Sequence, residues 1–129
     1  MAGSISYTHE KQGAIRIVRV NWTADSADGS VPSLVFPAFG GRLLALETNP
    51  GATAPTTLYD MVLNDGHGHD VLQGVGANRS ATATEKVAVV YSGTAIHPPV
   101  VKGDTLTLPI TGNSVNSAVG EADLYYVTE

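Results

Sequence analysis

The chain contains no cysteine, one tryptophan and two phenylalanines in 129 residues. The absence of cysteine excludes disulfide bonds, thiolate metal ligands and a cysteine nucleophile, and it is compatible with synthesis in a reducing cytoplasm. No apolar run approaches the roughly 20 residues that a membrane-spanning helix needs. The start, MAGSISYTHEKQG, lacks the basic and apolar regions of a secretory signal. We therefore expect no membrane partner.

Positive charge is also scarce. Seven Lys and Arg residues are scattered along the chain against twelve Asp and Glu, which gives a net charge of -5. Because affinity for the nucleic-acid backbone comes from clustered Lys and Arg, we expect no nucleic-acid partner. Hydrophobic residues make up 43% of the chain and charged residues 15%, and there are 22 Ser and Thr. This composition favours β-structure built from small residues over a helical bundle or a disordered chain.

Apolar and polar residues alternate in short segments separated by Gly, Pro, Asn or Asp, which is the pattern of a β-sandwich or barrel. In AIRIVRVNW the alternation slips between Ile17 and Val18, which indicates either a β-bulge or a strand buried on both faces. We predict an all-β, single-domain antiparallel β-sandwich of jelly-roll or Greek-key type with about eight strands. Residues 1–12 are predicted to form an N-terminal arm or edge strand ahead of a sandwich domain at 13–129. Strand patterns occur at residues 4–9, 14–22, 31–36, 42–48, 57–64, 70–75, 86–92, 105–111 and 118–127.

The segment NDGHGHDVLQGVGANRS, residues 64–80, matches one copy of a calcium-binding nonapeptide repeat. Gly66, Gly68, Asp70 and Leu72 fall in the repeat's slots. In the next nine positions only Gly74 stands in a glycine slot of the repeat, and Arg79 stands in the aspartate slot. Since such repeats share each calcium ion between stacked turns, one copy cannot build a site.

Two other interpretations of this segment remain. His67 and His69 could hold a transition metal with Asp65 or Asp70 completing the ligand set, although the flanking glycines give these ligands little support. A hairpin turn, in which glycines supply positive φ angles and polar side chains stay solvated, is the interpretation we favour. We therefore predict no metal and no cofactor.

The sequence contains no nucleophile motif, zinc-protease motif or phosphate-binding loop. His9 and His97 occur in ordinary strand and proline contexts, and we interpret them as surface or partner-contact residues. Four acidic residues have no spacing that would fix a glycosidase pair: Glu47, Asp60, Glu121 and Asp123. The chain is therefore predicted not to be an enzyme, and no catalytic residue is assigned.

Exposed aromatic rings would favour a carbohydrate-binding module, but the supply is small. Trp22 lies in an apolar strand and is predicted to be in the core. Tyr125 and Tyr126 are neighbours in a strand and must face opposite ways, so at most one packs inside. The remaining aromatic residues are Tyr7, Phe36, Phe39, Tyr59 and Tyr91.

Residues 41–80, GRLLALETNPGATAPTTLYDMVLNDGHGHDVLQGVGANRS, resemble a stretch of small structural proteins of tailed bacteriophages and prophages. The shared pattern is a hydrophobic strand followed by NPG, APT, YD, DVL and NRS elements. NWTADSADGSV and LTLPITGNS are similar to the same group, so the resemblance covers about two-thirds of the chain. These are turn and strand motifs, and they transfer no catalytic residue.

The resemblance implies a capsid decoration or cement protein that binds and stabilises the shell of the major capsid protein. Such a protein would be made in the bacterial host cytoplasm, act as a homodimer or homotrimer and lie on the capsid surface of the virion. A tail-associated or head-completion protein, and a host-surface or carbohydrate-binding module, are the alternatives. Contacts with neighbours are expected first from residues 1–12 and next from the crossovers at 49–55 and 97–104.

Overall fold

The computed structural model describes residues 2–37, 40–101 and 103–128. Within these ranges it contains no helix and ten strands, all paired antiparallel, which confirms the predicted all-β sandwich class. Met1 of the predicted arm and Phe39 of the aromatic set lie outside the described residues. The strands are β1 (Ser4–Gln12), β2 (Ile15–Thr23), β3 (Leu34–Pro37), β4 (Gly41–Pro50), β5 (Asp60–Met61), β6 (Glu85–Ala88), β7 (Pro99–Val100), β8 (Thr105–Leu108), β9 (Ile110–Thr111) and β10 (Val119–Val127).

The larger sheet has the strand order β1-β2-β10-β4-β6, and β7 pairs with the start of β4. β1 and β2 form a hairpin that turns at Gly13, where φ is 64°. β10 pairs with both β2 and β4, so strands distant in sequence lie side by side. Of the two forms predicted for residues 1–12, the described part takes the edge strand, because β1 is hydrogen-bonded to β2 along its whole length.

The inner face of this sheet packs on the two-stranded sheets β3-β8 and β5-β9 and forms a single hydrophobic core with them. Trp22 of β2 is buried, as predicted, and its ring centroid lies 5.7 Å from that of Tyr59 in front of β5. At the edge of the core, the Tyr7 ring of β1 lies 5.3 Å from the Phe36 ring of β3. These ring contacts join the two layers of the sandwich.

β2 is buried on both faces at its centre. Ile17 is 7% exposed and its neighbour Val18 is 0% exposed, and the pairing of β2 with β1 and β10 runs through them without a shift. Burial of both faces therefore explains the slip in the alternation, and the bulge interpretation is wrong for β2. A register shift occurs instead between Tyr125 and Tyr126, where β10 pairs with β4.

The predicted strand at residues 70–75 is wrong. These residues form consecutive turns after a single β-bridge at Asp70. The Asp70 carboxylate accepts the backbone N–H groups of Leu72 and Gly74, at 3.0 Å each, and Gln73 and Gly74 both have positive φ angles. A carboxylate that satisfies nearby N–H groups in this way competes with a sheet ladder.

Other predicted strands are shortened or divided. Residues 105–111 split into β8 and β9 at Pro109, which has no N–H to donate. The crossover expected at 97–104 contains β7, and β4 continues into the crossover expected at 49–55. The strand predicted at 57–64 is reduced to β5, the one at 86–92 becomes β6, and the one at 31–36 begins only at Leu34, after Pro32. The strand predicted at 4–9 continues to Gln12 as β1.

Candidate functional site

The outer face of the larger sheet is open to solvent. Side chains on this face are exposed or half-buried at nearly every position, whereas the alternate positions of β2, β4 and β10 are mostly buried in the core. Ile17 also lies on this face but, unlike its neighbours there, it is buried. We call this surface the open face and define it by Ser4, Ser6, Thr8, Glu10, Arg19, Asn21, Glu47, Asn49, Lys86, Glu121, Asp123 and Tyr125.

A row of charged side chains crosses the open face. Strand pairing places Arg19 beside Asp123, Asp123 beside Glu47, and Glu47 beside Lys86. Arg19 Nη1 donates to Asp123 Oδ2 at 3.3 Å, and Arg19 Nε lies 3.0 Å from Glu10 Oε1. Exposed pairs of this kind add only about 0–1 kcal/mol each to stability. The row therefore places positive and negative groups side by side across the face.

Tyr125 extends this row. Its hydroxyl donates to Glu47 Oε1 at 2.7 Å, and Lys86 Nζ lies 4.0 Å from the centre of its ring. Desolvation, followed by the hydrogen bond to Glu47, raises the pKa of Tyr125 to about 12. Tyr126 points the other way and is 3% exposed, which confirms that the two tyrosines face opposite sides of the sheet.

One end of the open face carries a polar cleft of about 290 Å³. Hydroxyl, amide and carboxyl groups line it, from Ser4, Ser6, Asn21, Asn49 and Glu121. Glu121 is the single ionisable side chain among the lining residues, so the cleft lacks a second carboxylate for acid–base chemistry. The cleft is suited to hydrogen bonding with a polar ligand.

The four acidic residues considered for catalysis do not form one site. Glu47 and Asp123 are cross-strand neighbours, but Glu47 accepts the Tyr125 hydroxyl and Asp123 faces Arg19. Glu121 lies in the cleft. Asp60 is elsewhere in the fold, where it accepts a backbone N–H.

The isolated histidines have structural contacts. His9 Nε2 and the Tyr126 hydroxyl share a hydrogen bond, and their rings lie 5.6 Å apart. His97 Nδ1 donates to the Val89 carbonyl at 2.7 Å. These contacts attach β1 to β10 and the residues before β7 to those after β6, and they explain both histidines without a catalytic role.

Residues 65–69 form the predicted tight turn, but it closes a single bridge between Asn64 and Asp70 rather than a two-stranded hairpin. Asp65 Oδ1 accepts the N–H groups of His67 and His69 at 2.9 and 3.0 Å. The backbone hydrogen bond from His69, followed by that from His67, lowers the pKa of Asp65. Gly68 supplies the positive φ angle of 78° that the turn requires.

The structure changes the set of possible metal ligands in this turn. Asp65, His67 and Asp104 each offer a ligand atom, and these atoms all lie within 4.8 Å of one another. His69 is not part of this group, and its Nε2 lies 3.2 Å from Gln73 Nε2. Asp70 is not part of the group either, and its carboxylate accepts backbone N–H groups of the next turn. Sequence reasoning named Asp65 and His67 but missed Asp104, which only the tertiary fold brings to the turn.

Asp104 approaches the turn closely. Its Oδ2 accepts the Gly66 N–H at 3.2 Å, between residues 38 positions apart in the chain. A Cβ atom at Gly66 would lie 2.1 Å from Asp104 Oδ1, so a larger residue there would push the Asp104 carboxylate away from the turn. The nearby bridge between Asn64 and Thr107 holds the two segments together.

Arg79 stands where a second copy of the calcium-binding nonapeptide would have its aspartate, and it is buried. Its Nε donates to Thr48 Oγ1 at 3.1 Å and its Nη1 to the Val75 carbonyl at 2.8 Å. Its Nη2 lies 3.1 Å from Glu85 Oε1. These contacts connect the turns before Arg79 to β4 and β6. Arg79 therefore stabilises the fold, and its guanidinium is occupied by residues of the protein.

No protein-family model matches the chain, and no curated protein is significantly similar to it. Across residues 2–37, 40–101 and 103–128, no helix is long and apolar enough to cross a membrane.

Proposed function

We propose that this protein is a non-enzymatic virion protein of a tailed bacteriophage, which decorates the capsid and stabilises the shell of the major capsid protein. The observation that carries the proposal is the open face, a broad polar sheet surface on which groups of both charge signs lie side by side. A non-obligate protein interface, taken as a whole, is about as polar as the rest of the protein surface, whereas small-molecule sites are concave and mostly apolar. The resemblance of residues 41–80 to phage structural proteins supports the same conclusion.

The resembling segment contributes directly to the open face. β4 lies within residues 41–80, and it supplies Glu47 and Asn49 to that surface. β1 lies at the edge of the same sheet, and the unpaired backbone groups of an edge strand can hydrogen-bond to a strand of a neighbouring molecule. The open face and the free backbone edge of β1 adjoin each other, so together they form one continuous candidate contact for a coat subunit.

Repetition on the capsid would strengthen such a contact. A homodimer or homotrimer can engage several coat subunits at once, and linked weak contacts then give a much higher overall affinity than one contact alone. Both signs of charge occur in the row across the open face, which suits a partner with a matching mixed surface and favours a defined orientation.

Cosedimentation with expanded capsids of the phage that encodes the chain tests the proposal. We expect saturable binding at a fixed ratio to the major capsid protein. The open-face variant Asn21→Arg combined with Glu121→Arg should weaken binding by at least about tenfold, which is 1.4 kcal/mol. The matched control is Val35→Arg on β3, where the native side chain is 60% exposed on the other sheet. Absence of the unmodified protein from the capsid pellet would exclude the decoration role.

The polar cleft supports a second candidate, a host-surface module that binds carbohydrate. Hydroxyl, amide and carboxylate groups are the groups that hydrogen-bond to sugar hydroxyls. The aromatic contribution is small, since Trp22 is the one aromatic residue among the lining and its side chain is buried. Binding to a glycan array that is lost in Glu121→Gln, without sedimentation with capsids, would favour this function over the first.

A further inference from the structure

Contrary to the sequence-based prediction of no metal, we propose that Asp65, His67 and Asp104 form a binding site for one divalent transition-metal ion, and that Zn²⁺ is the ion that best fits the donor set. The ligand atoms of the three side chains lie within 4.8 Å of one another. In a tetrahedral zinc site with bonds of about 2.0–2.2 Å to nitrogen and oxygen, neighbouring ligands are separated by about 3.4 Å. Binding therefore requires the donors to approach one another, and the exposed side chain of His67 can change rotamer to do so.

The chemistry of the donors selects the class of ion. Calcium takes about 6–8 oxygen ligands, and magnesium keeps most of its water shell. One imidazole and two carboxylates provide fewer oxygens than calcium needs, and imidazole is a good ligand for zinc and its neighbours in the first transition row. Three protein ligands also leave the fourth tetrahedral position to water or to a donor from a bound partner.

The two carboxylates are already oriented by the backbone. Asp65 Oδ1 accepts two N–H groups of its own turn, which leaves Oδ2 available to an ion. Asp104 Oδ1 accepts the Thr105 N–H at 2.9 Å, and its Oδ2 accepts the Gly66 N–H. Hydrogen bonds to metal ligands set their direction and contribute strongly to affinity.

Metal binding at this point would connect two separate segments. The turn at 65–69 and the residue before β8 meet through the Gly66 to Asp104 hydrogen bond, and an ion would add three stronger links at the same junction. An ion that binds only the folded state stabilises it in proportion to the logarithm of its concentration above Kd. The inferred role is a structural clamp, and it does not depend on the proposed capsid function.

Calorimetric titration of metal-free protein with ZnCl₂, after removal of any histidine tag, tests this site. We expect one ion per chain, and an unfolding temperature that rises with Zn²⁺ but not with the same concentration of MgCl₂. His67→Ala should lower the affinity at least about tenfold, since loss of even an outer hydrogen-bond partner costs about 10- to 100-fold. His67 is the informative position because its ring is exposed, and its removal leaves the carboxylate hydrogen bonds intact.

The matched control is His69→Ala in the same turn, which should bind Zn²⁺ with unchanged affinity. Asp104→Asn should also weaken binding, and circular dichroism of each variant establishes that it is folded. The proposal is overturned if the unmodified protein shows no saturable binding at one ion per chain. It is also overturned if His67→Ala binds normally or if His69→Ala loses as much affinity as His67→Ala.

Discussion

Replacing Arg79 by methionine perturbs the most deeply buried charge described in the fold. Arg79 is 5% exposed, and it joins the turns at 75–80 to Thr48 in β4 and to Glu85 in β6. Methionine has a similar length and retains much of the apolar packing of the arginine stem. The substitution therefore removes hydrogen bonds and charge with little change in volume.

The expected loss of stability follows from these contacts. Two hydrogen bonds from a charged donor, to Thr48 Oγ1 and to the Val75 carbonyl, are worth about 1.5–3 kcal/mol each. The ion pair with the partly exposed Glu85 adds about 0–1 kcal/mol. Removing the guanidinium also relieves its desolvation cost, which offsets part of the loss. We expect Arg79→Met to lower the free energy of unfolding by about 2–4 kcal/mol.

Urea denaturation followed by the fluorescence of Trp22, the single tryptophan, measures this change directly. Glu85→Gln is the matched control and should cost less than about 1 kcal/mol, because that partner is partly exposed. A double-mutant cycle with Thr48→Val isolates the buried hydrogen bond. A loss below about 0.5 kcal/mol for Arg79→Met, or additivity with Thr48→Val to within about 0.5 kcal/mol, would refute the reasoning.

Three further perturbations test local packing and electrostatics. Gly120→Ala places a Cβ 2.5 Å from Trp22 Cζ2. This overlap should lower the free energy of unfolding by about 1–3 kcal/mol in the same urea assay. An unchanged urea midpoint would show that Trp22 does not pack closely against residue 120. Folding raises the pKa of Tyr125 from 10.0 to about 12, so the hydroxyl ionises in the unfolded chain before it does in the folded protein. The contribution of Tyr125 to stability is therefore complete below pH 10 and is lost as the pH rises through 12. In thermal melts, Tyr125→Phe should therefore show a smaller fall in unfolding temperature between pH 10 and 12 than the unmodified protein, and an identical fall would exclude Tyr125 as its source. Asp70→Ala removes the acceptor of three backbone N–H groups. The loss of about 1–3 kcal/mol of local stability should accelerate amide hydrogen exchange in residues 71–76 at least about tenfold. Unchanged protection of these amides would show that the carboxylate does not hold the turn.

The long strands could be predicted because their pattern is local. β2 and β10 are each within one residue of the alternation in the sequence, at 14–22 and 118–127. Residues 70–75 also look like a strand, but there the Asp70 carboxylate competes successfully for the backbone N–H groups. Side-chain hydrogen bonding of this kind is invisible to an apolar pattern.

The candidate sites were predicted only in part, because they depend on register and on distant contacts. Asp65 and His67 are close in sequence and could be named as metal-ligand candidates, whereas Asp104 joins them only after Asn64 pairs with Thr107. The open face is equally non-local. Arg19 and Asp123 become neighbours through the pairing of β2 with β10, and no sequence spacing reveals that pairing.

The central position of β10 determines when this protein can fold. Until its ribosome has made Val119–Val127, the β1–β2 hairpin and β4 have no strand to join them, and the apolar residues Val18 and Leu46 on either side have no Leu124 between them. Pairings between distant segments form slowly, and incomplete chains with exposed apolar rows are prone to aggregate. A chain that lacks β10 therefore leaves the apolar rows of β2 and β4 unpaired, and the larger sheet can assemble only once β10 is present.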